Sequence, residues 1–248
     1  MIDYGSRRAL YFVGDKELDL VETLIDLREP YRLQHPYAQA MTAGLIYRPE
    51  PNSVLLVGLG GGALVRFLNH YFPDVRLDVV EIDPAVVEVA RDYFGTRPVP
   101  GTRILVADGR DFLARSTERY DLILLDAHLY PSELTDGTGH PLSLRTEAFY
   151  RSLHERLRPD GVVLINMIAG PDGSSYMAGV CRAFAAVDVL AVAESTNLIV
   201  VAKADGAMPD DAALRRRARE LDQRDYGFSF ERQIDIRQPR ERTCASAR

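Results

Sequence analysis

The chain is short of the features that mark several large classes of protein. It has only two cysteines in 248 residues. Cys181 and Cys244 lie far apart, which excludes a disulfide framework or a cysteine-rich metal knuckle as an organising device. Cys181 sits in an apolar helical pattern and is expected to fill the core, with Cys244 in a tail. No apolar run approaches the roughly 20 residues that a bilayer span requires. Positive charge is not in excess. Lys and Arg number 30 against 36 Asp and Glu, for a net charge of -6. Phosphate binding needs clustered cations, so neither nucleic acid nor an anionic membrane is expected as the main partner. The opening MIDYGSRRALYFVGDKELD lacks a basic region followed by a long apolar stretch. A cytoplasmic protein is therefore expected.

What is present is alternation of strands and helices. SVLLV at 53–57 is apolar throughout, as in a strand buried on both faces. GLGGG follows, then the amphipathic ALVRFLNHYF, then RLDVVE at 76–81. Pro84 opens the next helix at a permitted position. Thr102–Val106, YDLILLD at 120–126 and GVVLIN at 161–166 supply further strands, with a helix from about Thr146 and another over 174–186. VLAVAES and NLIVVAK read as a closing hairpin, which makes one strand antiparallel. The expected fold is α/β, a doubly wound, mostly parallel, seven-stranded sheet. Three units are expected. Residues 1–50 form a small β-hairpin domain with a helix over 37–47. Residues 51–205 form the nucleoside-binding domain. Residues 206–248 form a charged, solvated helix and a disordered end.

Gly58-Leu59-Gly60-Gly61-Gly62-Ala63 fits GxGxxG/A directly between a strand and a helix. Glu81 ends the next strand, where an acid can accept both ribose hydroxyls. Those features alone suit NAD equally. Asp108-Gly109 follows the third core strand and Asp126 ends the fourth. Asp108 can accept from an adenine amino group or cap the following helix. Three acids at successive strand ends suit a cationic adenosine compound and would repel a pyrophosphate. His128 and His140 flank a polar loop, with no third ligand at metal spacing, so no metal is expected.

In the words VLLVGLGGGALVRFL, VVEIDPAVVEVARDYF, VADGRDFL, YDLILLD and TEAFY the chain resembles the spermidine synthase (polyamine aminopropyltransferase) family. The resemblance implies a methyltransferase-like, Rossmann-like core and a homodimer. It implies decarboxylated S-adenosylmethionine, or S-adenosylmethionine, as co-substrate. The cofactor set is then Gly58, Gly60, Gly61, Glu81, Ile82, Asp108, Gly109 and Asp126. Asp126 also serves as the catalytic base or polariser of a small amine acceptor. Acceptor contacts would come from Tyr37, His128 and Tyr130, with Glu133 and Asp136 on the same 127–143 loop, which is long enough to act as a lid.

The chain also departs from that family. Gly61 stands where the family has an acid in the glycine loop, and Leu129 where it has a second acid after the fourth strand. Pro36-Tyr37-Ala38 replaces a Tyr-His-Glu word, and Ile168 replaces a Glu. Three readings follow: aminopropyl transfer to an amine with an atypical acceptor site, methyl transfer from intact S-adenosylmethionine, or a non-catalytic nucleoside-binding homologue.

Overall fold

The computed structural model describes residues 1–12, 20–129, 132–170, 173–193, 195–240 and 244. The main sheet is built from runs with no polar face. All five residues of SVLLV and all six of YDLILL are buried. In chain order its parallel half comprises β4 (Ser53–Val57), β5 (Arg76–Glu81), β6 (Thr102–Val106), β7 (Tyr120–Leu125) and β8 (Leu157–Ile168). It ends in β9 (Ala186–Ala191) and β10 (Asn197–Lys203), and the spatial order is β6-β5-β4-β7-β8-β10-β9. β10 pairs antiparallel with both β8 and β9, as the closing hairpin predicts. The buried carboxylate in β7, Asp121, is satisfied. It accepts from the Asn52 and Ser53 amides at 3.0 Å each and pairs with Arg48 at 2.7 Å.

Alternate strand residues face two separate apolar clusters. Val54, Leu56, Leu122 and Leu124 pack on one face with α3 (Ala63–Tyr71) and α4 (Pro84–Phe94). Leu55, Val57, Ile123 and Leu125 pack on the other with α5 (Gly109–Arg115), α6 (Glu147–Glu155) and α7 (Gly173–Ala183). Helices on both faces of a mostly parallel sheet make the doubly wound architecture. The chain runs from β4 outward to β6, then returns to β7 on the far side of β4. That reversal opens a crevice at the strand C-termini.

The N-terminal region corrects the expected hairpin. It is a three-stranded antiparallel sheet of β1 (Ile2–Tyr4), β2 (Arg7–Phe12) and β3 (Leu20–Asp26). The Gly14-Asp15 turn lies outside the described residues. The helix expected over 37–47 is instead two short ones, α1 (Pro36–Met41) and α2 (Gly44–Tyr47). Thr42 ends the first by turning its hydroxyl back to the Gln39 carbonyl at 2.6 Å. α2 then lies so close to the sheet that a Cβ on Gly44 would meet Leu122 at 2.6 Å. The helix expected to Ala186 stops at Ala183, and its last residues open β9.

The C-terminal part is more ordered than its charge implies. α8 (Asp211–Leu221) buries Leu214 and Ala218, and α9 (Phe230–Asp235) buries Phe230 and Ile234. Tyr226, Phe228 and Phe230 close an aromatic cluster on Phe67 and Tyr71. Beyond α9 the chain pairs with the free edge of β9, where the Gln238 amide donates to the Val189 carbonyl at 2.8 Å. Arg240 grips the buried Asp188 with two bonds, of 2.6 and 2.9 Å. Cys181 of α7 and Cys244 form a disulfide, with Cα atoms 5.8 Å apart. Cys181 does pack against the second apolar cluster, as expected, but as half of a disulfide that the reading of the two spacings did not anticipate. A separation of 63 residues carries no pairing signal in the sequence. Among the described residues no helix is long and apolar enough to cross a membrane.

Candidate functional site

A cavity of about 640 Å³ opens at the C-terminal ends of β4, β5, β6 and β7. The glycine turn forms its floor. Gly58 has φ +98°, and a Cβ there would lie 2.0 Å from the Asp126 carbonyl oxygen. Only glycine lets the turn pass under the end of β7. Glu81 ties the turn to the next strand. Its Oε2 accepts from the Leu59 amide at 2.9 Å and its Oε1 from the Asp83 amide at 3.0 Å. Asp83 caps α4 by accepting from the Ala85 amide.

Gly58, Gly60, Glu81, Ile82, Asp108, Gly109, Asp126 and His128 all line this cavity, as does Glu133. Asp108 does so while capping α5, accepting from the Arg110 and Asp111 amides at 2.8 and 3.3 Å. The capping and ligand-facing positions therefore coexist. Gly61 departs from its expected place. It faces away from the cavity, its amide donates to Thr23 Oγ1 at 2.8 Å, and a Cβ would meet Thr23 Cγ2 at 2.7 Å. Tyr37 does not line the cavity either. It sits on α1, with its hydroxyl 3.4 Å from the Glu22 main-chain oxygen. Asp136 turns inward to a buried ion pair with Arg145 at 2.7 Å. Tyr130 lies outside the described residues.

Asp126 has an unusual environment. Burial pushes its carboxyl up to about 6, partly offset by a hydrogen bond from the Asn166 amide at 2.8 Å. His128 Nδ1 is 3.8 Å from Asp126 Oδ1, too far for a hydrogen bond. Burial, with His140 and the Arg145 charge nearby, holds the His128 ring well below its ordinary pKa. It is neutral, so the contact is not an ion pair. His140 is pushed down to about 4 by burial, and its Nε2 donates to the Asn166 carbonyl at 2.6 Å. The loop between β7 and α6 is thus pinned from within at its described residues. On the cavity it presents an apolar stretch of Leu129, Leu134, Pro141, Leu142 and Leu144 beside His128, Glu133 and Ser143.

Two residues of the site escape the sequence reading. Glu22 reaches the cavity from β3, in the small sheet. Its only signal is an acid between Val21 and Thr23 in a half-buried strand. Asn166, which closes an apolar run beside the strand of Asp126, is a polar residue at a strand end and could have been singled out on that ground.

A family model described as the spermine/spermidine synthase domain matches residues 35–169. A polyamine aminopropyltransferase of Chromobacterium violaceum is 31% identical over 231 residues, covering 91% of this chain and 84% of its own. Another, of Vibrio vulnificus, is 35% identical over 138 residues, spanning 54% of this chain and 44% of its own length. The human eEF1A lysine and N-terminal methyltransferase is 31% identical over 177 residues, 65% of this chain but 25% of its own. Among solved structures, human methyltransferase-like protein 13 in complex with SAH superposes with a TM-score of 0.70 at 27% identity, covering 83% of this chain and 94% of its own. A spermidine synthase in complex with the transition-state analogue AdoDATO shares the fold, with a TM-score of 0.69 at 18% identity over 95% of this chain and 87% of its own.

Proposed function

Because the chain belongs to the spermine/spermidine synthase family of transferases, we propose that it moves an aminopropyl group from decarboxylated S-adenosylmethionine to an amine. The observation that carries this reading is the charge of the cavity. Glu81, Asp83, Asp108, Asp126 and Glu133 line it, with the protonated carboxyl of Glu22 beside them, against the single guanidinium of Arg110. Such a wall attracts a sulfonium and repels a pyrophosphate. Glu81 at the end of β5 suits the ribose hydroxyls, and Asp108 with Gly109 suits the adenine edge.

The amine nitrogen attacks the carbon beside the sulfonium sulfur. The carbon–nitrogen bond forms as the carbon–sulfur bond breaks, and methylthioadenosine leaves. The nucleophile must be unprotonated and in line. A carboxyl near pKa 6 can accept a proton around neutral pH, which assigns that role to Asp126. Asn166 orients it. The apolar wall of the 129–144 loop favours an acceptor with an apolar body. The 127–143 loop closes over the ligand and excludes water. A homodimer belongs to the same reading.

The test is a binding panel of decarboxylated S-adenosylmethionine, S-adenosylmethionine and methylthioadenosine, followed by an amine screen with Asp126→Asn as control. Tight binding of the decarboxylated compound and amine-dependent release of methylthioadenosine, lost in the variant, are expected. A clear preference for intact S-adenosylmethionine would favour methyl transfer instead. The observation behind that second reading is Gly61, which leaves the loop without its own carboxylate, so that it tolerates a ligand carboxylate. Binding without turnover of any acceptor would leave a nucleoside-binding homologue.

A further inference from the structure

We propose that Glu22 supplies the carboxylate that the glycine turn lacks, and that it reads the ammonium group on the tail of the bound sulfonium compound. The inference rests on the nucleoside reading above and adds to it a residue from outside the parallel core.

The geometry comes from the docking of β3 against the turn. Thr23 accepts from the Gly61 amide at 2.8 Å, which fixes the strand at that point. The register of β3 against β2 shifts between Thr23 and Val21, which makes Glu22 the extra, unpaired residue of a bulge, and its side chain reaches the turn beside Thr23. There it lines the cavity, and its Oε1 lies 2.9 Å from where a Cβ on Gly60 would be. A carboxylate thus stands beside the turn although the turn has no acidic residue. The same contacts explain why the loop does without one. Thr23 and Phe94 fill the space a side chain at position 61 would need.

The surroundings of Glu22 call for a cation. The titratable groups that face it are Asp126 beyond β7, Glu81 at the end of β5 and Tyr37 on α1. None brings positive charge. No hydrogen bond or ion pair among the described residues reaches the Glu22 carboxyl. Burial and the two neighbouring acids push it up to about 8, which keeps it protonated at neutral pH. An ammonium placed there reverses the balance. The carboxyl ionises, its proton leaves to solvent, and an ion pair forms in a partly desolvated place. The tail is therefore recognised by charge, and its binding is linked to proton release.

Calorimetry on the native protein at pH 7 tests this, with each ligand titrated in two buffers of different ionisation enthalpy. Decarboxylated S-adenosylmethionine and S-adenosylmethionine carry the ammonium; methylthioadenosine has the nucleoside without it. Release of about one proton with a tailed ligand and none with methylthioadenosine is expected. In Glu22→Gln, affinity for the tailed ligands should fall by about tenfold to a hundredfold. Affinity for methylthioadenosine should stay within about twofold, which also reports that the variant is folded. Equal loss for tailed and tail-less ligands, or no loss at all, overturns the proposal. If the variant does not fold, the native titrations decide alone, and equal proton release with all three ligands overturns it. Failure of methylthioadenosine to bind the native protein sinks the nucleoside reading and this inference with it.

Discussion

The side-chain amide of Asn166 donates to Asp126 Oδ1 at 2.8 Å, while the Asn166 side-chain oxygen accepts from the Asn197 amide at the same distance. The second bond settles the first. With its oxygen occupied by β10, Asn166 can present only its nitrogen to Asp126. This bond lowers the Asp126 pKa against the effect of burial. Asn166→Ala should therefore raise the Asp126 pKa and shift the acid limb of the kcat–pH profile upward. We expect kcat at pH 7 to fall by about tenfold, with methylthioadenosine affinity within about twofold. A profile that keeps its acid limb in place would show that Asn166 does not act through Asp126.

The core was legible because its central strands are dominated by apolar runs and the acids of the cavity stand at or just beyond strand ends. Glu81, Asp108 and Asp126 could be found by counting from strand to strand. Glu22 could not. Its place against Gly60 depends on how a separate three-stranded sheet docks, which no local pattern encodes. Gly61 shows the converse limit. Its motif position suggests a ligand contact, and its packing turns it toward Thr23. The break after Met41 lies in a run of i,i+3 main-chain bonds joined by the Thr42 hydroxyl, and the Cys181–Cys244 link lies in a chain path that sequence spacing does not reveal.

Restoring the acid in the loop should fail for reasons of space. Gly61 does not have positive φ, so its backbone admits a side chain, but a Cβ would meet Thr23 Cγ2 at 2.7 Å and Phe94 Cδ1 at 3.1 Å. Gly61→Asp should lose about 1–3 kcal/mol of stability, the usual range for overpacking. Thr23→Ser removes the colliding methyl and keeps the hydroxyl that accepts from position 61. The double variant should recover about 0.5–1 kcal/mol relative to additivity in urea unfolding. Strict additivity would mean that the Thr23 methyl is not the obstacle, leaving the Thr23 Cβ at 2.9 Å, which serine retains.

Glu22 should also shape stability against pH. The Glu22 pKa rises from 4.5 to about 8 on folding. Between those values the folded chain holds a proton that the unfolded chain has released, so stability is intact below pH 4.5 and is lost as pH climbs towards 8. Asp126, raised to about 6, acts with the same sign. His128 and His140, both lowered, act with the opposite sign below 6.5. The difference between the native protein and Glu22→Gln isolates Glu22. Thermal melts of ligand-free protein should show the variant gaining roughly 1–3 kcal/mol on the native chain from pH 5 to 8, a figure discounted for the open cavity. A constant gap across that range would contradict the assignment.

Asp188 is fully buried in β9 and holds the C-terminal segment in place. It receives two bonds from Arg240 and the Tyr47 hydroxyl at 2.9 Å. Asp188→Ala would leave that guanidinium and phenol without their acceptor. Breaking a buried pair from one side costs about 3–5 kcal/mol. Asp188→Asn keeps an acceptor and should lose less. Ligand affinity per folded molecule should not change, since Asp188 does not line the cavity. Chemical unfolding of the two variants gives the comparison, and equal losses would place the cause in packing rather than charge.

The disulfide gives the last test. Joining Cys181 to Cys244 closes a loop across 63 residues of sequence. Cross-linking restricts the unfolded chain far more than the folded one, where Arg240 already holds the tail. The chain-entropy model gives about 4 kcal/mol for a loop of this length, and measured values usually reach about 2–4 kcal/mol. For a chain of this size that corresponds to a fall in Tm of about 5–10 °C on reduction. Cys244→Ser should melt at the lower temperature with or without reductant, and its affinity for methylthioadenosine should match that of the oxidised protein, because neither cysteine lines the cavity. If reductant leaves the native Tm unchanged and thiol titration finds two free sulfhydryls beforehand, the bond is not formed in solution, and the tail depends on the Asp188 contacts and its pairing with the edge of β9.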